Sequence, residues 1–283
     1  MDIERAIALL GVACFVAASV LSGGLLLGSK PRGERASLAL LGAGTAALAA
    51  ALAARWLRAA AIPVFGWFEA MTCYAVALSG AYLLLALRGR ARGVCSLLIP
   101  VATVFAFCGA AARGAAPGSH VPVQGLWLVL HVATAFAAYG VFTLASVVAA
   151  AYLIQDGNLK RKRLGTVWER LPSLEALDQS MKRLVGVAFL LMTCSILLGV
   201  ALVRASGGDD AWLTDPKVAA TIGSWIMLAA LVHLRASSDR HGRSVALLAV
   251  FGLVGLLFTF FGVHLVSDSV HDFLELGRGA GAP

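Results

Sequence analysis

Residues Trp212 to Arg235 read Trp-Leu-Thr-Asp-Pro-Lys-Val-Ala-Ala-Thr-Ile-Gly-Ser-Trp-Ile-Met-Leu-Ala-Ala-Leu-Val-His-Leu-Arg. Asp215 and Pro216 form a helix start: an Asp side chain accepts from the orphan amides of a first turn, and Pro fits the first helical position. The apolar run Val218–Leu234 that follows is of membrane-crossing type and closes on His233 and Arg235 at its far boundary. A basic turn and a second apolar run, Val245–Leu265, lead to His264 and His271. The whole chain has only six histidines in 283 residues. His233, His264 and His271 sit at the ends of these two helices. Imidazole at a membrane boundary is costly to place by accident and is a natural iron ligand.

The rest of the chain is built the same way. Apolar residues make up 60%, charged residues 13%, and the mean hydropathy is +0.86. A soluble domain carries roughly 25% charged residues, so that class is excluded. Eight apolar runs approach the roughly 20 residues that a spanning helix needs: Ala6–Leu27, Ala36–Trp56, Val64–Leu87, Val94–Ala112, Val123–Ile154, Leu184–Val203, Val218–Leu234 and Val245–Leu265. The expected fold is all-α, a polytopic transmembrane helical bundle with eight spans that occupies the whole chain as one domain. The first run lacks a basic leader and a small-residue cleavage site, so an uncleaved first helix is expected.

The net charge of +8 is distributed in a way that excludes nucleic acid as a partner. With the N-terminus outside, the inner connections hold Lys30, Arg32 and Arg35, then Arg88, Arg90 and Arg92, seven basic residues from Lys160 to Arg183, and Arg235, Arg240 and Arg243. That places 16 of the 23 basic residues inside. The positive-inside rule then sets both termini on the outer face, and the bilayer is the partner this charge addresses. The inner connection Asp156–Arg183 is basic and partly amphipathic. It suits the anionic inner surface, where each basic residue contributes about 1 kcal/mol, or simply fixes topology. Within it, Ser173 before Leu174-Glu-Ala-Leu-Asp178 reads as a helix cap.

The five cysteines, Cys14, Cys73, Cys95, Cys108 and Cys194, all fall within apolar runs with no Cys-x-x-Cys pair, which removes thioredoxin-like chemistry and covalent haem attachment to this chain. No Gly-x-Ser-x-Gly and no phosphate-binding glycine loop followed by Lys occurs, so ordinary hydrolase or nucleotide-driven activity has no support. The residues left with chemistry to offer are few. His131 lies one turn inward from Trp127, above a face of Ala135, Ala138 and Phe142 that suits a flat apolar ligand or another helix. If the eighth helix continues, His264, Asp268 and His271 share one face, with a carboxylate to orient an imidazole. His and Asp alone would also suit zinc, whose geometry spacing cannot establish. Glu69, near the outer end of the third run, is an acid at a costly depth; it is either functional or paired with Arg55 or Arg58.

At these residues the chain resembles the cytochrome c assembly protein family, which comprises the CcsA and CcmC haem-handling proteins and their HemX-like relatives. The resemblance is carried by Pro63-Val-Phe-Gly-Trp-Phe-Glu-Ala70, Trp127-Leu-Val-Leu-His-Val132 with Ala138-Tyr-Gly-Val-Phe142, Leu184-Val-Gly-Val-Ala-Phe189, Asp215-Pro-Lys217 through Arg235, and Phe261-Gly-Val-His-Leu265 with His271. It implies an outer loop that cradles haem b, with His131 and His271 as axial ligands of the haem iron and His233 and Asp215 at matching positions of the family. The loop here holds one tryptophan, Trp212, and Thr214 stands where a further one would precede Asp215. That departure points toward the HemX-like branch, which is associated with regulation of haem biosynthesis. His264 stands where relatives commonly carry Asn. The expectation is therefore a haem-handling protein of the bacterial cytoplasmic membrane, a possible subunit of a cytochrome c haem lyase and not itself clearly an enzyme. Its partner is either a membrane protein of cytochrome c assembly or, for a HemX-like regulator, a cytosolic haem-biosynthetic enzyme. A small-molecule transporter is the third reading, without the inverted repeat that such folds show.

Overall fold

The computed structural model describes residues 3–26, 32–59, 67–88, 94–112, 125–162, 171–205, 213–237 and 242–258. Among these the chain is entirely helical: α1 (Ile3–Leu26), α2 (Arg32–Ala59), α3 (Trp67–Leu87), α4 (Cys95–Ala111), α5 (Gly125–Lys160), α6 (Leu174–Ala205), α7 (Pro216–Ser237) and α8 (Gly242–Leu257). Six stretches are long and apolar enough to cross a membrane, namely Ile3–Gly24, Gly33–Leu57, Trp67–Leu87, Trp127–Lys160, Leu174–Ala205 and Pro216–Ala236. α4 and the described part of α8 are shorter apolar helices. At 1.5 Å per residue α4 rises about 26 Å, a little less than the roughly 30 Å hydrocarbon core. The eighth expected run continues to Leu265, beyond the described residues.

The helices form two groups, α1 to α4 and α5 to α8, joined chiefly where α3 packs on α5. Antiparallel neighbours are fixed by pairs of contacts at two levels. Ser96 donates to the Ser22 carbonyl at 2.8 Å and Thr103 to the Phe15 carbonyl at 3.2 Å, so α4 runs against α1. Thr45 donates to Ser79 at 2.8 Å while Arg55 pairs with Glu69, so α2 runs against α3. In the second group Trp225 Nε1 donates to Thr193 Oγ1 at 2.9 Å and Arg235 holds Asp178, so α7 runs against α6. Ser146 donates to the Ala249 carbonyl at 2.9 Å between α5 and α8. Between the groups, the Tyr74 and Thr143 hydroxyls lie 2.6 Å apart. Lipid is as apolar as leucine, so such polar stitches and close packing replace the hydrophobic force, each interhelical bond contributing about 0.6 kcal/mol and at most about 1.7.

Close approach depends on glycine at a few crossings. A Cβ on Gly140 would lie 2.8 Å from the Ala77 carbonyl carbon and the Leu78 nitrogen, so α5 meets the α3 backbone directly. A Cβ on Gly44 would lie 2.6 Å from the Phe15 ring, which holds α2 close to α1.

Two helices differ from the apolar runs that announce them. α5 has 36 residues and rises about 54 Å, continuing past the apolar run to Lys160. α6 starts at Leu174, where the Ser173 cap holds: its hydroxyl accepts from the Ala176 amide at 3.3 Å. The basic segment before Leu184 is therefore the first turns of a continuous 32-residue helix. Leu177, Ser180, Met181, Leu184, Val185 and Ala188 form one buried stripe along it, and this shared face carries the helix past the charged residues.

Candidate functional site

His131 lies in the second turn of α5, half-buried, and turns toward α6. Its Nδ1 is 2.8 Å from the backbone oxygen of Ser195. A carbonyl only accepts, so Nδ1 carries the hydrogen and Nε2 keeps its lone pair. This is the arrangement of metal-ligating histidines, whose second ring nitrogen donates to a carbonyl or carboxylate that sets tautomer and orientation. The Ser195 hydroxyl donates to the His131 carbonyl at 3.3 Å and lies 3.4 Å from Nδ1, and Thr134 Oγ1 donates to the same carbonyl at 3.0 Å. A Cβ at Gly199 would lie 2.9 Å from the imidazole Cε1. Of the face below His131, Ala138 and Phe142 are buried in the helix core and are not free to receive a flat ligand.

The start of α7 lies at the same end of this group, ten residues beyond the Trp225–Thr193 bond. Asp215 Oδ1 accepts from the Lys217 amide at 2.7 Å and the Val218 amide at 3.3 Å, which is the helix cap expected from the sequence. Its burial, 6% exposed, follows from that cap. The Trp225 ring stacks with Phe189 at 5.6 Å between centroids, so the wall between α6 and α7 below this end is aromatic.

The other sequence candidates are not gathered here. Glu69 is 1% exposed and pairs with Arg55, the first of the two arginines expected for it. The Arg55 guanidinium also stands 5.4 Å from the Phe68 ring centroid. Glu69 turns to α2 and His131 to α6, so the two belong to different groups of helices. His233 is exposed near the far end of α7, two residues before Arg235, whose Nη1 donates to both Asp178 oxygens at 2.6 and 2.7 Å. Asp178 and Ser195 are about 26 Å apart along α6 at 1.5 Å per residue, so His233 and His131 occupy opposite ends. Trp212, His264, Asp268 and His271 lie outside the described residues, as does the face expected for the last three. No group of three or more His, Cys, Asp or Glu side chains poised for a metal occurs among the described residues.

Sequence reasoning missed Ser195 and Gly199. Their signal was a small polar residue and a glycine one turn apart, interrupted only by Ile196-Leu-Leu198, but nothing local linked them to His131.

Residues 64–271 match the family described as Cytochrome C assembly protein. The chain belongs to this family. The match contains His131, Ser195, Gly199, Asp215 and His271, and it leaves α1 and α2 outside. Among similar proteins, a cytochrome c biogenesis protein CcsA from Microcystis aeruginosa is 27% identical over 274 residues, covering 80% of this chain and 83% of the relative. One from Porphyra purpurea is 26% identical over 266 residues with the same coverage. A solved structure of cytochrome c heme lyase CcmF is similar in fold, with a TM-score of 0.62 at 17% sequence identity. That likeness covers 99% of this chain but 49% of the other, so the assembly protein spans about half of the lyase chain. The relatives named here carry the CcsA designation, and the HemX-like branch inferred from the single tryptophan finds no support among them.

Proposed function

We propose that this chain is a membrane haem-handling protein of cytochrome c biogenesis, of the CcsA type, that binds haem b as cargo at the outer end of α5 and α6 and presents it there. One observation carries the reading: within the family-matched segment, His131 is held by the Ser195 carbonyl so that its Nε2 lone pair remains available as an axial ligand to iron. The donor chemistry fits the group, because a neutral imidazole of fixed tautomer is a common haem ligand. His271 would be the second ligand to the iron, with His264 as the neighbouring candidate and Trp212 as the aromatic residue available to the macrocycle. His233, at the opposite end, belongs to a separate inner station. Asp215 caps the start of α7. This chain's own residues bind and orient the iron.

The same reading makes α4 and α8 spans, so that eight helices cross the cytoplasmic membrane of a bacterium with both termini outside. The 16 basic residues assigned to inner connections support it. A membrane protein of cytochrome c assembly is the partner that completes the site. Glu69 is structural, neutralised by Arg55, and Asp268 would be the carboxylate available to orient His271.

The test is a deletion strain complemented with wild type, His131→Ala or His271→Ala and assayed for covalent c-type and non-covalent b-type haem. Selective loss of c-type cytochromes, unrestored by either variant, is the expected result. Equal loss of b- and c-type haem, restored by His131→Ala, contradicts it and favours a regulator of haem biosynthesis.

A further inference from the structure

The Ser195 carbonyl sits inside α6, where it already accepts the intrahelical bond of residue 199. A carbonyl oxygen has a second lone pair, but in a helix it is normally screened. Side chains tilt toward the N-terminus, so each covers the turn before its own Cα. The side chain at 199 is the one that would cover the turn of Ser195. It is absent: a Cβ at Gly199 would lie 2.9 Å from His131 Cε1 and 3.2 Å from Nδ1, inside the space that the imidazole occupies. The ring thus rests on α6 where the helix has no side chain and reaches the uncovered lone pair at 2.8 Å. The Ser195 hydroxyl ties the two helices at the same level, donating to the His131 carbonyl at 3.3 Å.

We infer that Gly199 is a positioning residue for haem ligation: by leaving the Ser195 carbonyl open to the ring, it fixes His131 as the Nδ1–H tautomer and leaves the Nε2 lone pair unused by that contact. This rests on the proposed role of His131 as an axial ligand. Ser195 acts through its main chain, so its side chain is the lesser part of the device. Any residue larger than glycine at 199 displaces the ring from the carbonyl and releases its orientation. Partners of this kind are worth about 10- to 100-fold in metal affinity.

Gly199→Ala, Ser195→Ala and Gly186→Ala are to be compared in the full-length protein in detergent. Gly186 lies on the same helix, and a Cβ there meets nothing within 4 Å. Two readouts are used. Without haem, nitrogen-15 spectra of histidine-labelled protein, with the His131 signal assigned by its loss in His131→Ala, report the tautomer. With haem, titration followed in the Soret band reports affinity, and added imidazole replaces a lost ligand. The expected result is a pure Nδ1–H signal and unchanged affinity for wild type and Gly186→Ala, whereas Ser195→Ala, which keeps the main-chain carbonyl, should retain the Nδ1–H signal. Gly199→Ala should give a mixed tautomer signal and about 10- to 100-fold weaker binding, recovered by imidazole. Should Gly199→Ala destabilise the fold, the double variant with His131→Ala removes the clash and restores stability, and this too supports the inference. A Gly199→Ala protein with the wild-type tautomer and affinity overturns it, as does instability that persists without the histidine. Failure of the ligand reading looks different: His131→Ala would then bind haem like wild type, whatever Gly199→Ala does.

Discussion

Removing Arg55 should destabilise the protein more than removing its partner, and the reason is which charge is left behind. Glu69 is 1% exposed, whereas the Arg55 side chain keeps 24% of its surface. Deleting one member of a buried pair costs about 3–5 kcal/mol, because the survivor is a buried uncompensated charge. In Arg55→Ala the survivor is the fully buried carboxylate, whose Oε2 has no hydrogen-bond partner among the described residues. The partial exposure of Arg55 draws the pair toward the lower end of that range. Loss of its contact with the Phe68 ring adds about 0.5–1 kcal/mol. The sum is about 3.5–4 kcal/mol, a large fraction of a membrane domain's stability. In Glu69→Gln the survivor is an arginine with a route to the surface along its own stem, so the loss should be about 1–2 kcal/mol. The double variant Arg55→Met with Glu69→Gln should recover most of the Arg55 deficit, since no isolated charge remains. Unfolding in mixed detergent micelles, followed by tryptophan fluorescence, measures all three. A loss below 1 kcal/mol for Arg55→Ala, or a loss for Glu69→Gln equal to it, would refute the argument.

Three further outcomes follow from the same geometry. Asp215→Ala should cost about 1 kcal/mol through the lost cap of α7, and Asp215→Asn only a few tenths, both read by the same unfolding assay. Gly140→Ala should cost about 1–3 kcal/mol or more, because its Cβ would meet the α3 backbone, which has no rotamer to yield; a neutral result would mean that α3 and α5 cross elsewhere. In intact cells a thiol reagent that cannot cross the membrane should label Gly208→Cys and spare Gly165→Cys, and the reverse pattern would invert the topology.

Much of the fold was legible because membrane helices announce themselves by length and apolarity, and caps by local chemistry. The Asp215 and Ser173 caps and eight helices emerge from neighbours in the chain, whereas for Glu69 the sequence leaves a functional role and a pair with Arg55 or Arg58 both open. Three features were not legible. The first turns of α6 looked like a surface connection, since Lys182 and Arg183 interrupt the apolar run, yet Leu177, Met181 and Leu184 bury one continuous stripe. The six stretches that meet a spanning length reflect where helices end in space, which hydropathy alone places only to a few residues. The support of His131 was hidden for a deeper reason: Ser195 is 64 residues away, and a backbone carbonyl has no sequence signature. Only the absent side chain at Gly199 marks the contact, and a bundle with 30 glycines offers many such absences.

The central claim is that His131 presents an open Nε2 to haem iron. It is tested most directly by the absorbance spectrum of the purified full-length protein, with and without added haem, beside His131→Ala. The account predicts a Soret band with low-spin bis-imidazole character in the wild type, lost or shifted in His131→Ala and returned by free imidazole. No Soret band in the wild type after haem addition, or an identical band in His131→Ala, would contradict it.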